Sequence, residues 1–561
     1  MRSVIIATGL IFIYAFPAFA QAPQVVLVTP SQNEVSAALT SDITATFDMD
    51  MDPATIDNST FSVYSRTYGY LSGTVTYDQP TRTATFNPTR DFFNGDVITA
   101  TLTNGVGSLG GTPMDRGFSW TFTVIAGGTG YFGAAIEYGV NYEPYTVFMA
   151  DLNMDDYPDI IGGSISVFLN NGDGTFLPRT DYSVFNRAYR INAADLDRDG
   201  DIDIVAACDF GDVEILLNNG DGSFMSLPRL DAEDYLWGLY IVDIDGDIDL
   251  DMILGGEESP YNDRLWIYSN DGSGNFSFDT AYTMISTVWG IYSGDLNNDG
   301  CPDISAICCS WPHYLGILLN NGDGAFSSPF YYAIGMSYDI TGADLNHDGF
   351  IDLAVPYFYN PRLNIFINQG DGTFDHTSSY TAENAFYSVC ASDLNGDQSI
   401  DLINGSAKVN GTPEINTFLY NNNGDGTFYL NSTLNIADDG RVQGIFTSDI
   451  DLDGDLDLVA TNYHNRSITV LQNLPACGYV TGDVNDDGGY NGLDVVYAVN
   501  YFKGGDPPVY DECDCPVGGF WYVAGDVNAS CDFNGLDITY GVNYFKGGDA
   551  PQPCPECPPT Q

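Results

Sequence analysis

DLNNDGCPD, from Asp295 to Asp303, is one of seven nine-residue acidic loops spaced through the middle of the chain. The others are DLNMDDYPD from Asp151, DLDRDGDID from Asp195, DIDGDIDLD from Asp243, DLNHDGFID from Asp344, DLNGDQSID from Asp393 and DIDLDGDLD from Asp449. Every copy carries an oxygen-bearing side chain at loop positions one, three, five and nine. In the first three loops these are Asp151, Asn153, Asp155 and Asp159; Asp195, Asp197, Asp199 and Asp203; and Asp243, Asp245, Asp247 and Asp251. The next two offer Asp295, Asn297, Asp299 and Asp303, then Asp344, Asn346, Asp348 and Asp352. The last two offer Asp393, Asn395, Asp397 and Asp401, then Asp449, Asp451, Asp453 and Asp457. Ca²⁺ takes roughly six to eight oxygens at about 2.3–2.6 Å, and a tight turn brings alternate side chains onto one ion. Without metal the same carboxylates would repel one another and raise their pKa values. The seven loops are therefore expected to be calcium sites.

Successive loops start 44, 48, 52, 49, 49 and 56 residues apart. Periods of about 40–50 residues holding several short strands each point to propeller blades. An apolar strand enters each loop and a second leaves it, beginning at Ile160, Ile204, Met252, Ile304, Leu353, Leu402 and Leu458. A third strand ends in a hairpin such as FLNNGDGTF from Phe168 or LLNNGDGAF from Leu318, with YSNDGSGNF from Tyr268 as a variant. Asn-Gly and Asp-Gly supply the positive φ that such turns demand. The seventh unit stops at VLQN (Val470–Asn473), whereas YFGAAIEYGV (Tyr131–Val140) stands unpaired before the first loop. That strand is expected to complete the last blade, giving a closed seven-bladed ring over residues 130–474 and removing its exposed edges.

These units resemble FG-GAP/VCBS repeats, the propeller units of integrin α subunits and of many secreted bacterial proteins. The resemblance implies a further ligand, the backbone carbonyl at position seven: Tyr157, Asp201, Asp249, Cys301, Phe350, Ser399 and Asp455. Three loops depart from the pattern, with Asp156, Ile248 and Gln398 in place of the turn glycine at position six. Weaker or rearranged sites are expected there. In all seven the ion is expected to staple the loop joining two strands, so that metal binding and folding are linked.

Residues 21–126 read as short alternating strands: Val25–Val28, Ile43–Phe47, Thr60–Val63, Thr74–Tyr77, Thr83–Asn87, Val97–Leu102 and Ser119–Val124. Seven strands in about 100 residues suit a β-sandwich. The stretches FDMDMDPATIDNSTFSV, GTVTYDQPTRTATFNPT and FSWTFTV resemble the bacterial Ig-like domain of S-layer-type proteins, with Phe47, Phe61, Phe86, Trp120 and Phe122 as core. Such a module implies a spacer, and IAGGTG (125–130) a short flexible linker. Residues 1–20, with Arg2, an apolar run and Ala18-Phe19-Ala20, read as a secretory signal peptide, so an exported protein is expected.

After Pro475, GDVNDDGGYNGLDVVYAVNYFKGGD returns as GDVNASCDFNGLDITYGVNYFKGGD. The first copy places Asp483, Asn485, Asp487, Asn491 and Asp494 at positions one, three, five, nine and twelve of an EF-hand-like loop; the second places Asp526, Asn528, Ser530, Asn534 and Asp537 there. Leu493, Val496, Tyr497 and Tyr501, like Leu536, Thr539, Tyr540 and Tyr544, follow helical spacing. The pair (478–550) resembles a type I dockerin, which implies a cohesin-type scaffold partner. The departures are Cys531 where the first copy has Gly488, a long insert, and Gly-Leu at the positions where dockerins carry partner-reading polar residues. The tail, 551–561, is rich in proline and cysteine.

The whole is thus expected to be mainly β: an Ig-like sandwich, a seven-bladed propeller and a small α-helical dockerin-like module. A formal charge of −59 opposes binding to nucleic acid or anionic lipid. Of eleven cysteines, the five in the repeats (Cys208, Cys301, Cys308, Cys309, Cys390) read as small buried hydrophobes. No nucleophile, zinc or phosphate-loop motif stands in a fitting context, so no catalytic residue is assigned. The expected function is adhesion or recognition, with a glycan or protein ligand on the propeller. A polysaccharide-degrading enzyme and a purely architectural surface protein are the alternatives.

Overall fold

The computed structural model describes residues 21–232, 235–258, 262–359, 361–381, 384–407, 415–437, 441–474, 490, 492–503, 527 and 535–546. The signal-peptide reading, the tail and the six C-terminal cysteines lie outside these residues, as do Asp483, Asn485, Asp487, Asn491, Asp526, Asn528, Ser530 and Asn534.

The N-terminal strands fold into two four-stranded antiparallel sheets. One orders Val25–Thr29, Ile43–Phe47, Thr83–Pro88 and Gly73–Asp78; the other orders Gly69–Tyr70, Phe61–Ser65, Val97–Leu102 and Phe118–Thr123. Only the two-residue strand Gly69–Tyr70 goes beyond the sequence expectation. Alternation puts Phe47, Phe61, Phe86, Trp120 and Phe122 inside, with the Phe61 ring centroid 5.9 Å from both Phe86 and Trp120.

The acidic region forms seven antiparallel sheets in chain order. The fourth is representative: Val288–Gly294 runs into the loop, Asp303–Cys308 leaves it, and Tyr314–Leu318 and Phe330–Ala333 follow. The seventh contains Ile445–Ser448, Asp457–Asn462 and Ser467–Leu471, and its fourth strand is Ile136–Gly139, with Gly139 opposite Ser467 and Ile136 opposite Val470. The strand before the first loop therefore pairs where the sequence placed it.

The loop-entering strand of each sheet packs on that of the next. Val147–Ala150 meets Ala188–Ala194, followed in turn by Tyr235–Val242, Val288–Gly294, Thr341–Ala343, Ala385–Ser392 and Ile445–Ser448, which returns to Val147–Ala150. At that last junction Val147, Met149 and Ile160 of the first sheet share an apolar cluster with Ile450, Val459 and Ile468 of the seventh.

A hydrogen-bond clamp repeats at every junction. The first hairpin asparagine of the fourth sheet, Asn320, donates through Nδ2 to Pro302 O (3.0 Å) in its own loop and to Ile244 O (2.8 Å) in the loop of the preceding sheet. Asn218, Asn270, Asn368, Asn422 and Asn473 likewise reach Leu152, Leu196, Leu296, Leu345 and Leu394. Asn170 of the first sheet reaches Ile450 O of the seventh at 2.9 Å.

At the C-terminus, helices Gly492–Phe502 and Gly535–Tyr544 touch, and Tyr490 stacks on Tyr544 at 5.8 Å. Ala498 is the buried position of the first helix, while Val496 (56% exposed) and Leu536 (68%) face outward. The apolar spacing expected from sequence thus includes two positions turned away from the helix contact.

Candidate functional site

Each acidic loop is wound around its first and ninth side chains. In the fourth loop Asp295 accepts the amides of Asp299 (3.0 Å) and Gly300 (2.8 Å). Asp303, the first residue of the outgoing strand, accepts from Leu296 N (3.0 Å) and Asn320 N (2.7 Å). The ninth residue makes this pair of contacts in every loop: Asp159, Asp203, Asp251, Asp352, Asp401 and Asp457 accept from the second loop residue and from the asparagine that follows the third strand. One carboxylate therefore holds both ends of the turn.

Those carboxylates are deep. Burial, augmented by neighbouring carboxylates, raises Asp159, Asp203, Asp251 and Asp401 to about 8, Asp303 and Asp352 to about 7, and Asp457 to about 9. Burial likewise raises Asp151, Asp295 and Asp393 to about 6 and Asp195 and Asp449 to about 7, and it lifts Asp243 and Asp344. At positions three and five, Asp197, Asp245, Asp247 and Asp451 are also raised, burial first. Asn153, Asp155, Asn346, Asp348, Asn395 and Asp397 form the outer rim, with each Asn Nδ2 turned to the Asp two residues on.

The donor set fits a hard cation. Three groups, Asp195/Asp197/Asp199, Asp243/Asp245/Asp251 and Asp449/Asp451/Asp453, bring carboxylate oxygens within 4.8 Å of one another. Asp195 Oδ1, Asn297 Oδ1, Asp449 Oδ1 and Asp451 Oδ1 are buried acceptors with no hydrogen-bond partner. Buried acceptors without donors are costly, and an all-oxygen cluster suits Ca²⁺.

The three loops lacking a position-six glycine keep the shared backbone. Asp156 (φ 77), Ile248 (φ 83) and Gln398 (φ 69) adopt the left-handed conformation that Gly300 (φ 84) and Gly349 (φ 86) take in other copies. The backbone of these three loops is therefore not rearranged, and these residues tolerate strain on the order of 1–3 kcal/mol there.

Residues 20–124 match the bacterial Ig-like domain family, and 162–206, 195–254, 243–306 and 344–404 match the FG-GAP-like repeat. The middle of the chain carries FG-GAP-like repeats. Both families are typical of non-enzymatic recognition proteins, and no catalytic family is found. No curated protein matches the chain. Similar solved structures are a crystal structure of BBS1N in complex with ARL6DN, soaked with lead (10% identity, TM-score 0.44, 62% of this chain and 97% of that one), and the same complex soaked with mercury (12%, 0.43, with the same shares).

The Ig-like domain is not a free spacer: it sits on the loops of the FG-GAP-like repeats and, together with the segment 125–130 that follows it, touches all seven. Thr67 O accepts Asp151 N (3.1 Å), and Arg90 pairs with Asp156. Gly69 leaves no room for a side chain beside Asp195, and Tyr70 OH donates to Ile248 O. Arg116 binds Asp299 Oδ2 (3.2 Å) and O (3.0 Å), Ser119 N donates to Gly300 O (2.7 Å), and Asn33 reaches Gly349 O (2.9 Å). Asn94 donates to Asp449 Oδ2 at 2.9 Å. The supposed flexible linker is also docked, with Gly127 N on Gly454 O (2.7 Å) and Gly130 N on Leu394 O (2.9 Å). A cavity of 390 Å³ lies under this cap, lined by Trp120, Tyr240 and Tyr292, and Arg66 of the cap lies 4.7 Å over the Phe446 ring.

A second feature occupies the other end of the same strands. Tyr145, Tyr189, Trp237, Trp289, Tyr338 and Tyr387 each stand six residues before the first Asp of a loop, roughly 20 Å away along a strand. Their rings touch in succession, with centroids 4.7, 4.5, 4.3, 4.9 and 4.9 Å apart. The seventh repeat has Gln443 at that position, and Tyr463 takes the place, 5.0 Å from Tyr145. Arg441 bridges the remaining gap, 4.9 Å over Tyr387 and 5.4 Å over Tyr463. Sequence reasoning overlooked this belt, although the fixed six-residue offset announces it.

The five repeat cysteines are unbridged, four of them buried, as expected of small apolar residues. In the C-terminal pair, Asp537 is buried and accepts Val527 N (3.1 Å), and Asp494 lies on the first helix.

Proposed function

We propose that this chain is an exported, calcium-stabilised recognition protein built on a closed seven-bladed propeller. The observation that carries the reading is the recurrence, seven times in one circuit, of a buried acidic loop whose carboxylates are deep and whose acceptors include unpartnered ones. FG-GAP repeats commonly bind calcium, and the side chains at positions one, three, five and nine would be the ligands. The Ig-like domain then acts as an internal cap on the metal-loop face, leaving the opposite mouth for ligand. The dockerin-like pair, with its own two calcium loops, would attach the molecule to a cohesin-type scaffold or another cell-surface component.

The test is calcium titration of the mature protein with thermal melts in calcium and in EDTA. Uptake of about nine ions and a large fall in melting temperature in EDTA are expected. Identical melting in both, with no metal retained, would falsify the proposal. A parallel pull-down from cell surfaces with and without residues 478–550 tests attachment: partners retained after truncation would exclude that module.

A further inference from the structure

We propose that the aromatic mouth opposite the cap binds a saccharide bearing carboxylate groups. This rests on the recognition reading above and names its ligand.

The local backbone is shaped to aim the belt rings. In four sheets the register of the loop-entering strand slips where the belt residue stands: at Tyr189, at Trp237, beside Trp289 and at Tyr387. A bulge re-aims a side chain that regular pleating would send elsewhere. The resulting rings are half-buried, and two pairs are stacked in parallel, Trp237 on Trp289 and Tyr338 on Tyr387, each at 10°. Packing alone would not call for broad indole and phenol rings at the open end of strands whose buried positions are mostly aliphatic or small, such as Ala188, Ile191, Leu236, Leu239, Val288 and Ile291. A flat, partly apolar ligand face would complete them.

Charge at the belt points the same way. Acidic residues outnumber basic ones by 76 to 17 over the chain, yet the balance reverses here. Among the described residues, Arg187, Arg190, Arg441 and Arg466 stand at the belt against the carboxylates of Glu143, Asp209 and Asp339. Glu143 engages Arg187 at 3.5 Å and Arg466 at 2.6 Å. Arg441 has no carboxylate partner among the described residues and is held only over two rings. The arginines already occupy the ring faces that a partner's cation would seek. They offer donors in a fixed fork, which matches a carboxylate. A uronic-acid-type sugar combines C–H faces for the rings, hydroxyls for the tyrosines and a carboxylate for Arg441. An acidic peptide has the charge without the flat apolar face.

The experiment uses the full mature protein in calcium, titrated calorimetrically with trigalacturonate, a hyaluronate hexasaccharide, cellohexaose and triglutamate. Saturable binding of at least one carboxylated sugar is expected, with no heat from cellohexaose or triglutamate. Trp289→Phe and Arg441→Gln should each weaken it at least tenfold while leaving the calcium-dependent melting temperature unchanged. Loss of the Trp237–Trp289 exciton signal in Trp289→Phe alone confirms that the stack, not the fold, was changed. Absence of binding to both carboxylated sugars, equal binding to triglutamate or cellohexaose, or indifference to both substitutions overturns the inference. If the protein still melts higher in calcium, only the inference falls; if that response is absent, the underlying reading falls.

Discussion

Replacing Asn170 by Ala tests whether the first and seventh repeats are truly joined. Its side chain makes three hydrogen bonds: Nδ2 to Pro158 O (3.0 Å) and Ile450 O (2.9 Å), and Oδ1 from Gly172 N (2.9 Å). Asn320 makes the same three, to Pro302 O, Ile244 O and from Gly322 N, at the junction of the third and fourth sheets. At about 1 kcal/mol per bond, plus the desolvation of buried carbonyls left without donors, either substitution should destabilise by about 4 kcal/mol. Unfolding entropy near 2.1 cal/mol/K per residue over roughly 340 residues turns this into a fall of about 6 °C. Asn321, the exposed neighbour in the same hairpin, is the control, and its Ala variant should stay within about 0.5 kcal/mol. Calorimetry of the three variants in calcium gives the comparison. If Asn320→Ala shows the full loss but Asn170→Ala less than about 1 kcal/mol, the circuit is open at that junction and the ring argument fails.

In EDTA, stability should fall as pH rises. The position-nine carboxylates titrate at about 7 to 9 in the folded chain against 3.8 unfolded, so their contribution is complete below the lower value and lost through the upper range. In calcium the trend should reverse, because ligation needs the deprotonated form; melts from pH 5 to 9 read both. Gln398→Gly, at an exposed position with φ 69, should stabilise by about 1 kcal/mol in urea titrations, whereas retention of the wild-type midpoint would mean that the strain there is negligible. Arg116→Ala combined with Asn94→Ala removes the cap's bonds to Asp299 and Asp449 and should speed proteolysis within residues 125–130 without shifting the calcium-dependent melt of the repeats. An unchanged digestion rate would show that the cap is held elsewhere.

Periodicity explains what the sequence disclosed. The loops, the hairpins and the strand that completes the seventh sheet recur or fail to recur at a fixed spacing, so each copy tests the others. The first hairpin asparagine was visible only as a turn former. Its reach to the preceding loop is a contact between residues 66 to 79 positions apart and leaves no local mark. The aromatic belt does have a local mark, the six-residue offset, but among 37 tyrosines it was masked by core positions. Cap docking had none at all. Arg116, Asn94 and Tyr70 follow no repeat, and half of their bonds go to backbone carbonyls, which every sequence possesses. Nor could turn chemistry foretell that Ile248 would accept a left-handed backbone: the strain at one residue is outweighed by the three amides, Gly246 N, Asp247 N and Ile248 N, that the turn delivers to Asp243.

The pairing of Ile136–Gly139 with Ser467–Leu471 imposes an order of events on biogenesis. A strand made early must wait, its hydrogen-bonding edge bare, while the rest of the circuit is produced; at about 5–20 residues per second that is on the order of half a minute. During that interval the open intermediate presents an adhesive margin to every other nascent copy. Glu137 on the waiting strand and the repulsion among so many aspartates oppose such association. On the calcium reading proposed above, that repulsion would be greatest before metal binds and would relax afterwards.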